Sequence, residues 1–255
     1  MPRSNNFSTR CDSDPVTSEC SRVVSLVPSA SETLLAWGVQ PVAVTRFCEL
    51  GDRFPTVGGT KDPTVDDIVA MKPDLVVMCD QENRREDYDR LVDAGCNVHA
   101  VSIRSVDDVG EQMERLATAL RLDPKLGRAC GVVTNASVTP APVFVPIWRK
   151  PWMTVNAATY GSSMLSAAGF HNVFSAHNDP YPTVTEEEIV ATKPSLVLAP
   201  SEPYPFTMRQ HDELAAFAPV EFVDGKDLFW WGVRTPAALH RLSTRASFPI
   251  SERIS

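Results

Sequence analysis

Short apolar runs alternate with longer amphipathic segments along most of this chain. Runs of four to six mostly apolar, often β-branched residues predict buried strands, and apolar positions spaced three or four apart predict helices. We predict strands at 22–27, 42–45, 75–78, 98–101, 143–147, 196–199 and 220–223, and helices at 29–37, 64–71, 82–94, 106–120, 159–168, 185–192, 207–217 and 234–245. Such alternation favours an α/β protein with mainly parallel sheets.

Local signals at the ends of these helices support the assignment. Ser29, followed three residues later by Glu32, has the form of a capping box, so we expect Ser29 to be the N-cap of the first helix. Gly38 and Gly169 each follow an apolar helical segment and predict where two of the helices end.

One helix–strand segment occurs twice. Thr64–Val76 (TVDDIVAMKPDLV) matches Thr185–Val197 (TEEEIVATKPSLV) at a constant offset of 193 − 72 = 121 positions. Both copies contain an acidic helix start, a Lys-Pro break and a buried strand. Chance similarity of two short segments is the alternative, but a duplication predicts two α/β lobes.

The predicted fold is therefore two lobes, each with a mainly parallel central sheet flanked by helices, joined by a connecting helix. Gly, Pro, Ser and Thr are frequent after residue 122, which shortens that helix. The predicted boundaries are a disordered tail at 1–21, an N-terminal lobe at 22–122, a connecting helix or linker at 123–141, a C-terminal lobe at 142–245 and a tail at 246–255.

Composition excludes several classes of function. The formal net charge is −8 and there is no basic run, which argues against nucleic-acid binding. No apolar stretch approaches the roughly 18 residues that a membrane span requires. Six scattered cysteines without a Cys-x-x-Cys pair indicate neither a zinc site nor a disulfide framework. The first twenty residues are polar and lack an apolar core, so we expect no signal peptide and a cytoplasmic location.

The residues that follow the predicted strands are the candidate ligand site, because ligands of α/β sheets bind at the carboxyl ends of the strands. The strand at 143–147 leads into Trp148, Arg149 and Trp152, which offer flat apolar faces and a planar fork of donors. Packing of these indoles in the core is the alternative. The other candidates are Phe47, Cys48, Glu49, Asp80, Glu82, Tyr160, Glu202, Tyr204, Trp230, Trp231 and Arg234.

The segment Arg22–Leu34 (RVVSLVPSASETL), together with Val57-Gly-Gly-Thr, the two Lys-Pro segments and Asp224-Gly225, resembles the class III periplasmic-type substrate-binding proteins. These are also called helical-backbone metal receptors and bind cobalamin and ferric siderophores. Cys48, the stretch 82–86 and the aromatic segments at 148–152 and 202–206 are similar to a subgroup often labelled cobalamin-binding.

This resemblance implies a receptor that holds a metal chelate, of the corrinoid, haem or siderophore class, in a cleft between its lobes. It also implies delivery to an ABC importer, for which Asp66 and Glu187 are the matching docking carboxylates. A purely structural role of both residues at helix N-termini explains them equally well. Without an export signal, a cytosolic relative that passes its chelate to an acceptor protein is expected.

An enzyme on the same scaffold is the alternative function, with Cys48 and Glu49 as a thiol or metal-dependent centre. No P-loop, Gly-x-Gly-x-x-Gly or His-Glu-x-x-His motif is present in the sequence. Direct metal binding is undecided, with Cys48, His171 and His177 as weak candidate ligands and solvated loop histidines as the alternative. No cofactor is assigned, since the chelate is treated as the ligand.

Overall fold

Alternating strands and helices make up the described part of the chain, which is residues 20–50, 53–132 and 140–247 of a computed structural model. The strands are β1 Val23–Ser25, β2 Ala43–Val44, β3 Leu75–Cys79, β4 Val98–Val101, β5 Ala141–Phe144, β6 Trp152–Met153, β7 Phe170–Asn172, β8 Thr183–Val184, β9 Leu196–Pro200 and β10 Val220–Val223. The α-helices are α1 Pro28–Ala36, α2 Val65–Ala70, α3 Arg85–Asp93, α4 Val106–Ala119, α5 Pro124–Arg128, α6 Tyr160–Ala168, α7 Glu186–Ala191, α8 His211–Ala215, α9 Gly225–Phe229 and α10 Thr235–Ser247. The predicted α/β class with parallel sheets is confirmed.

The described residues divide into two compact units. Unit 1 contains the chain up to Ile103, Asp108–Gly131 and the short segment Trp231–Val233. Unit 2 contains Arg104–Asp107, the chain from Val132 to Trp230, and Arg234 onward.

Unit 1 is built on a four-stranded sheet with the order β2-β1-β3-β4, in which every pair is parallel. Every residue of β3 is buried, as expected for a central parallel strand that is covered on both faces. The core cluster on this sheet joins strand residues such as Val24 and Val76 to Ile68 of α2 and Leu91 of α3.

Unit 2 has a second four-stranded parallel sheet with the order β10-β9-β5-β7. Taken in reverse, this order is the same as that of the first sheet, with β7, β5, β9 and β10 in the places of β2, β1, β3 and β4. In addition, β6 and β8 form a separate two-stranded antiparallel sheet. Phe144 at the end of β5 lies in the core cluster of this unit.

The predicted repeat is present in the structure. Helix α2 and strand β3 have the same lengths as α7 and β9, and each pair of elements is offset by 121 positions (186 − 65 and 196 − 75). Lys72 and Lys193 both adopt positive φ, of 47° and 51°, immediately before the proline. The residue before proline is sterically disfavoured in the right-handed helical region, so the Lys-Pro pair ends the helix at the same place in both copies.

Three details of the predicted elements are wrong. Helix α1 begins at Pro28 with Val27 as N-cap and no side-chain cap, so Ser29 lies inside the first turn and forms no capping box. The dipeptide Asp224-Gly225 also predicts a turn between the last strand and the aromatic segment that follows, whereas Asp224 caps α9 there. The predicted helix at 207–217 is a 3-10 turn, Met208–Gln210, followed by the short α8.

Short strands were the elements that periodicity missed. The two-residue strands β6 and β8 and the three-residue β7 contain too few residues for an alternating pattern to be detected. The helix ends at Gly38 and Gly169 are confirmed, since both glycines adopt the left-handed conformation with φ of 81° and 93°.

Parts of the predicted boundaries lie outside the described residues. These parts are 1–19 of the N-terminal tail, 133–139 of the linker and 248–255 of the C-terminal tail. Within the predicted linker, the structure contains α5, and β5 already begins at Ala141.

The helices of the two copies of the repeat, α2 and α7, are capped differently, which gives a matched test. Thr185 accepts a hydrogen bond from the backbone of Glu188 in a complete capping box, whereas Thr64 at the equivalent position makes no side-chain cap bond. We expect Thr185→Ala to lower the free energy of unfolding by about 1 kcal/mol. Thr64→Ala should change it by less than about 0.5 kcal/mol. Urea denaturation of both variants measures the difference, and equal losses would contradict the assigned caps.

Candidate functional site

An aromatic pair lies beyond the ends of two neighbouring strands in unit 2. Strands β5 and β9 are hydrogen-bonded in parallel, so Trp148 and Tyr204, each four residues after its strand, leave the same edge of the sheet. Their ring centroids are 5.6 Å apart in an edge-to-face arrangement. Trp148 remains 46% exposed, so nearly half of its surface is open to solvent. We call Trp148 and Tyr204 the aromatic pair.

Trp152 occupies the core instead of the surface. It is only 6% exposed, its ring stacks on Phe206 with a centroid distance of 6.2 Å, and Phe144 and Phe217 pack on it edge-on. The expectation of a ligand-facing indole at Trp152 is therefore corrected, because its ring packs within the core cluster of unit 2.

The guanidinium of Arg149 is less available to a ligand than its position in the sequence suggests. Its Nε donates to Glu213 Oε2 at 2.6 Å, and both side chains are partly buried. This hydrogen bond raises the pKa of Arg149 above its usual value, so the guanidinium stays charged while part of its donor fork is occupied.

An open pocket of about 640 Å³ adjoins the aromatic pair. It is lined by Tyr204, Pro205, Thr207, Met208, Arg209 and Gln210. Met208 is 69% exposed, which is high for an apolar side chain of this size. The loop after β9 therefore offers an apolar surface with polar groups at its rim, a composition typical of ligand sites.

A second aromatic group in unit 2 combines one indole with two cations. Lys226 Nζ lies 4.9 Å and Arg234 Cζ 5.8 Å from the centroid of the half-buried Trp230 ring. Arg234 is held by Asp227 at 3.1 Å, and Arg241 donates to both oxygens of the same carboxylate. We call Trp230, Lys226 and Arg234 the Trp230 group.

Asp227 is the anchor of the Trp230 group. Burial by itself raises the pKa of this carboxyl, but the hydrogen bonds and charges of Arg241 and Arg234 outweigh burial and hold it below its usual range. Asp227 is therefore ionised at neutral pH, and it fixes the position of the Arg234 guanidinium.

Two further candidates in this part of the sequence are buried. Tyr160 is 5% exposed, and its hydroxyl lies 3.0 Å from the Oγ1 of Thr235. Trp231 is 3% exposed and belongs to unit 1, where the adjacent Val233 donates its backbone N–H to Thr33. Both rings are core residues, so the expectation that Tyr160 and Trp231 bind the ligand is corrected. Glu202 remains half-buried at the start of the loop after β9, where its backbone packs against Gly225.

In unit 1 the candidates after β2 separate into an exposed ring and a buried thiol. Phe47 is 52% exposed, with the guanidinium of Arg46 at 4.9 Å from its centroid, and Arg46 is paired with Asp62 at 2.8 Å. Cys48 is 8% exposed and its sulfur lies 3.1 Å from the Ser31 hydroxyl. Glu49 is exposed.

The residues after β3 also separate by burial. Asp80 is 4% exposed and accepts a hydrogen bond from Ser102 at 2.9 Å, whereas Glu82 is half-buried. Asp80 is therefore a buried, hydrogen-bonded residue, and Glu82 is the more accessible carboxylate of the two.

The side chains around Cys48, His171 and His177, the weak candidate metal ligands, do not form a metal site in the described structure. Within residues 20–50, 53–132 and 140–247, no group of three or more His, Cys, Asp and Glu side chains could hold a metal ion. His171 is exposed on β7, and His177 Nδ1 accepts the backbone N–H of Asp179 in a loop. The described part of the structure offers no set of protein ligands for direct metal binding at Cys48, His171 or His177.

The two predicted docking carboxylates occupy equivalent positions, at the second residue of α2 and of α7. The Asp66 side chain is almost fully exposed and lies 3.4 Å from Arg90. Glu187 is exposed, and a hydrogen bond from its own backbone N–H, together with one from Thr185, lowers its pKa.

Sequence reasoning did not single out Lys226, Arg46 or Met208 as site residues. The cation–π contacts of Lys226 and Arg46 depend on tertiary placement beside Trp230 and Phe47. Met208 had a usable signal, since it closely follows the aromatic loop 202–206.

Comparison with known proteins shows a similarity to periplasmic binding proteins. A family model described as a periplasmic binding protein matches residues 23–126. A vitamin B12-binding protein of Salmonella choleraesuis is 25% identical over 189 residues, which cover 69% of this chain and 71% of that protein. The chain is therefore similar to periplasmic binding proteins, over residues 23–126 for the family model and over 69% of its length for this relative.

Solved structures agree with this fold over most of the chain. The periplasmic vitamin B12 binding protein BtuF of Vibrio cholerae superposes with a TM-score of 0.71 at 20% identity, covering 89% of this chain and 96% of that one. The periplasmic heme-binding protein RhuT from Roseiflexus sp. RS-1 gives a TM-score of 0.73 at 19% identity, covering 88% and 97%.

The expected cytoplasmic location is wrong. The matching family model is a periplasmic binding protein, and both superposed structures are titled as periplasmic proteins. The expectation depended on the polar composition of the first twenty residues, most of which lie outside the described structure. Separately, no helix among the described residues is both long and apolar enough to cross a membrane.

The anchoring role of Asp227 predicts a pH-dependent stability. Because its pKa is depressed in the folded state, Asp227 contributes stability that is present above its unfolded pKa near 3.8 and is lost as pH falls through the lower folded value. Asp227→Asn removes the charge from a site that two arginines share, and it should cost about 3 kcal/mol at pH 7.

Chemical denaturation of both proteins at pH 7, 4 and 3 tests this role. We expect the difference between wild type and Asp227→Asn to shrink as the pH falls below 4, because acid neutralises the wild-type carboxyl. A difference that stays constant from pH 7 to pH 3 would contradict an ionised anchor.

Proposed function

We propose that this chain binds a metal chelate with a large flat ring, of the corrin or porphyrin type, and that the aromatic pair is part of the binding surface. The related proteins are named for vitamin B12 and heme, which supports this class of ligand. Siderophores, which the sequence resemblance also implies, are the second ligand class within the same proposal.

The observation that most supports this function is the exposed indole of Trp148 beside Tyr204. A monomeric protein seldom leaves an indole 46% exposed next to another ring and an open apolar pocket unless the surface binds something. Aromatic side chains supply large contact areas, and they lose little conformational entropy on binding. A conjugated macrocycle presents a matching flat face.

The candidate residues of unit 1 and the Trp230 group of unit 2 are further proposed ligand-binding residues, each described within its own unit. Phe47 adds a second exposed ring, and Glu49 and Glu82 add accessible carboxylates. Arg234 supplies a guanidinium held in place by Asp227, which suits polar or anionic substituents at the edge of a chelate.

Binding is favoured over catalysis by the surroundings of Cys48. Its thiol contacts the hydroxyls of Ser31 and Thr45 at 3.1 and 3.4 Å, and no histidine is among these partners. A nucleophilic cysteine needs a base or a cationic neighbour that stabilises the thiolate. Hydroxyl groups do not serve this purpose, so the thiol enzyme is the weaker proposal.

Isothermal titration with cyanocobalamin and with hemin tests the proposed site. We expect wild type to bind at least one of the two with micromolar affinity or better, and Trp148→Ala to weaken that binding by about tenfold or more. Trp37→Phe is the matched control, because Trp37 lies at the opposite end of α1 from the strand ends and should leave affinity unchanged.

If neither compound binds wild type, the proposed ligand class is wrong. If Trp148→Ala and Trp37→Phe both bind as wild type does, the chelate site is elsewhere on the chain.

We further propose that Asp66 and Glu187 dock the protein onto an ABC importer. They hold equivalent positions in the two repeats, and both carboxylates are solvent-accessible. Two acidic groups presented by matching helices suit a partner with two basic patches.

Uptake of radiolabelled cyanocobalamin by cells of the source organism tests the docking proposal. We expect the double variant Asp66→Ala/Glu187→Ala to reduce uptake at least tenfold while its purified form binds cyanocobalamin normally. The control Asp67→Ala/Asp212→Ala removes two other exposed carboxylates and should have no effect. Equal uptake by both double variants would exclude this role.

A further inference from the structure

The first turn of α1 contains a buried hydrogen-bond donor group that nothing on the described chain satisfies. The hydroxyl of Ser29 has no hydrogen-bond partner although the residue is only 2% exposed. Leaving such a group unpaired costs about 1–3 kcal/mol, so it requires an explanation.

The hydroxyl groups near Ser29, in contrast, all form hydrogen bonds. Ser31 donates to Ser25, and it also lies within 3.1 Å of the Cys48 sulfur. Thr33 donates to the backbone carbonyl of Ser29 at 3.0 Å. All of these side chains are buried in the same part of unit 1, and Ser29 alone among them has an unused hydroxyl.

Two backbone donors lie beside the Ser29 hydroxyl. The first backbone donation in α1 is from Ser31 to the carbonyl of Val27, and Pro28 has no N–H. The N–H groups of Ser29 and Ala30 precede that bond and have no backbone acceptor among the described residues. Val27 supplies no side-chain cap, which usually satisfies such groups.

These three donor groups point in the same direction. Side chains of a helix tilt toward its N-terminus, so the Ser29 hydroxyl and the two N–H groups all face the end of α1 that follows β1. The positive end of the helix dipole lies at the same place and favours negative charge. α1 has nine residues, enough for a dipole to develop.

We propose that Ser29, with the N–H groups of Ser29 and Ala30, forms a site in unit 1 for an anionic oxygen of a chelate, a carboxylate or a phosphate group. This assignment rests on the proposed chelate-binding function and narrows it to ligands with an acidic substituent. In a position shielded from water, hydrogen bonds from amides to an anion are stronger than in solvent. A neutral carboxamide would gain less from the helix dipole.

Phosphate titration of the ¹⁵N-labelled full-length protein tests the anion site without the chelate. At constant ionic strength, we expect saturable shifts of the Ser29 and Ala30 amide resonances. Ser29→Ala should weaken the apparent affinity about tenfold, because one hydrogen bond to a charged group is lost. Ser29→Asp should abolish the response, since its own carboxylate takes the place of the anion. Ser166→Ala, an exposed serine on α6, is the matched control and should titrate as wild type.

Stability separates the binding effect from misfolding. The Ser29 hydroxyl has no partner, so Ser29→Ala should melt at no lower temperature than wild type. Unshifted amides in wild type, or equal titrations of wild type and Ser29→Ala, would overturn the proposal and leave water as the occupant.

Hemin and its dimethyl ester distinguish a ligand carboxylate from a free anion. We expect Ser29→Ala to weaken hemin binding and to leave binding of the uncharged ester unchanged. If hemin and ester respond alike while phosphate still shifts the amides, the site takes free anions only and the assignment to the ligand is wrong. If neither hemin nor cyanocobalamin binds wild type while phosphate still shifts the amides, the chelate-binding function fails separately from the anion site.

Discussion

The parallel pairing of β5 with β9 is the constraint on which the candidate site depends. Val143 and Phe144 are in register with Leu196 and Val197, so the two strands end at the same edge of the sheet. The loops that follow the two strands then bring Trp148 and Tyr204 into edge-to-face contact. Shifting the register by one residue would turn the buried strand residues outward and separate the two rings.

The same sheet order occurs in both units, but the segments that leave the strand ends differ. After β2, unit 1 has the exposed Phe47 and the buried Cys48, and after β5, unit 2 adds the β6–β8 pair. Trp152 packs in the core against Phe206, while Trp148 stays outside. The duplicated scaffold is therefore retained, and the chemistry differs through the loops.

The sequence predicted the α/β class and the repeat well because both depend on local patterns. The 121-residue offset, the Lys-Pro helix ends at Lys72 and Lys193, and most strands follow from short-range periodicity and backbone sterics. Burial of individual aromatic residues did not follow, because Trp148 and Trp152 have the same local context and differ only in tertiary packing. Ser29 was predicted as a cap, whereas Pro28 begins the helix one residue earlier.

Hydrogen–deuterium exchange with and without cyanocobalamin or hemin tests most directly whether the ends of β5 and β9 bind the chelate. A ligand seated on the aromatic pair should slow exchange in the segments 145–153 and 201–207, since their backbone groups would be shielded and ordered together. The predicted result is strong protection in both segments and little change in the loop 175–182 of the same unit. Binding accompanied by unchanged exchange in both segments would contradict the account.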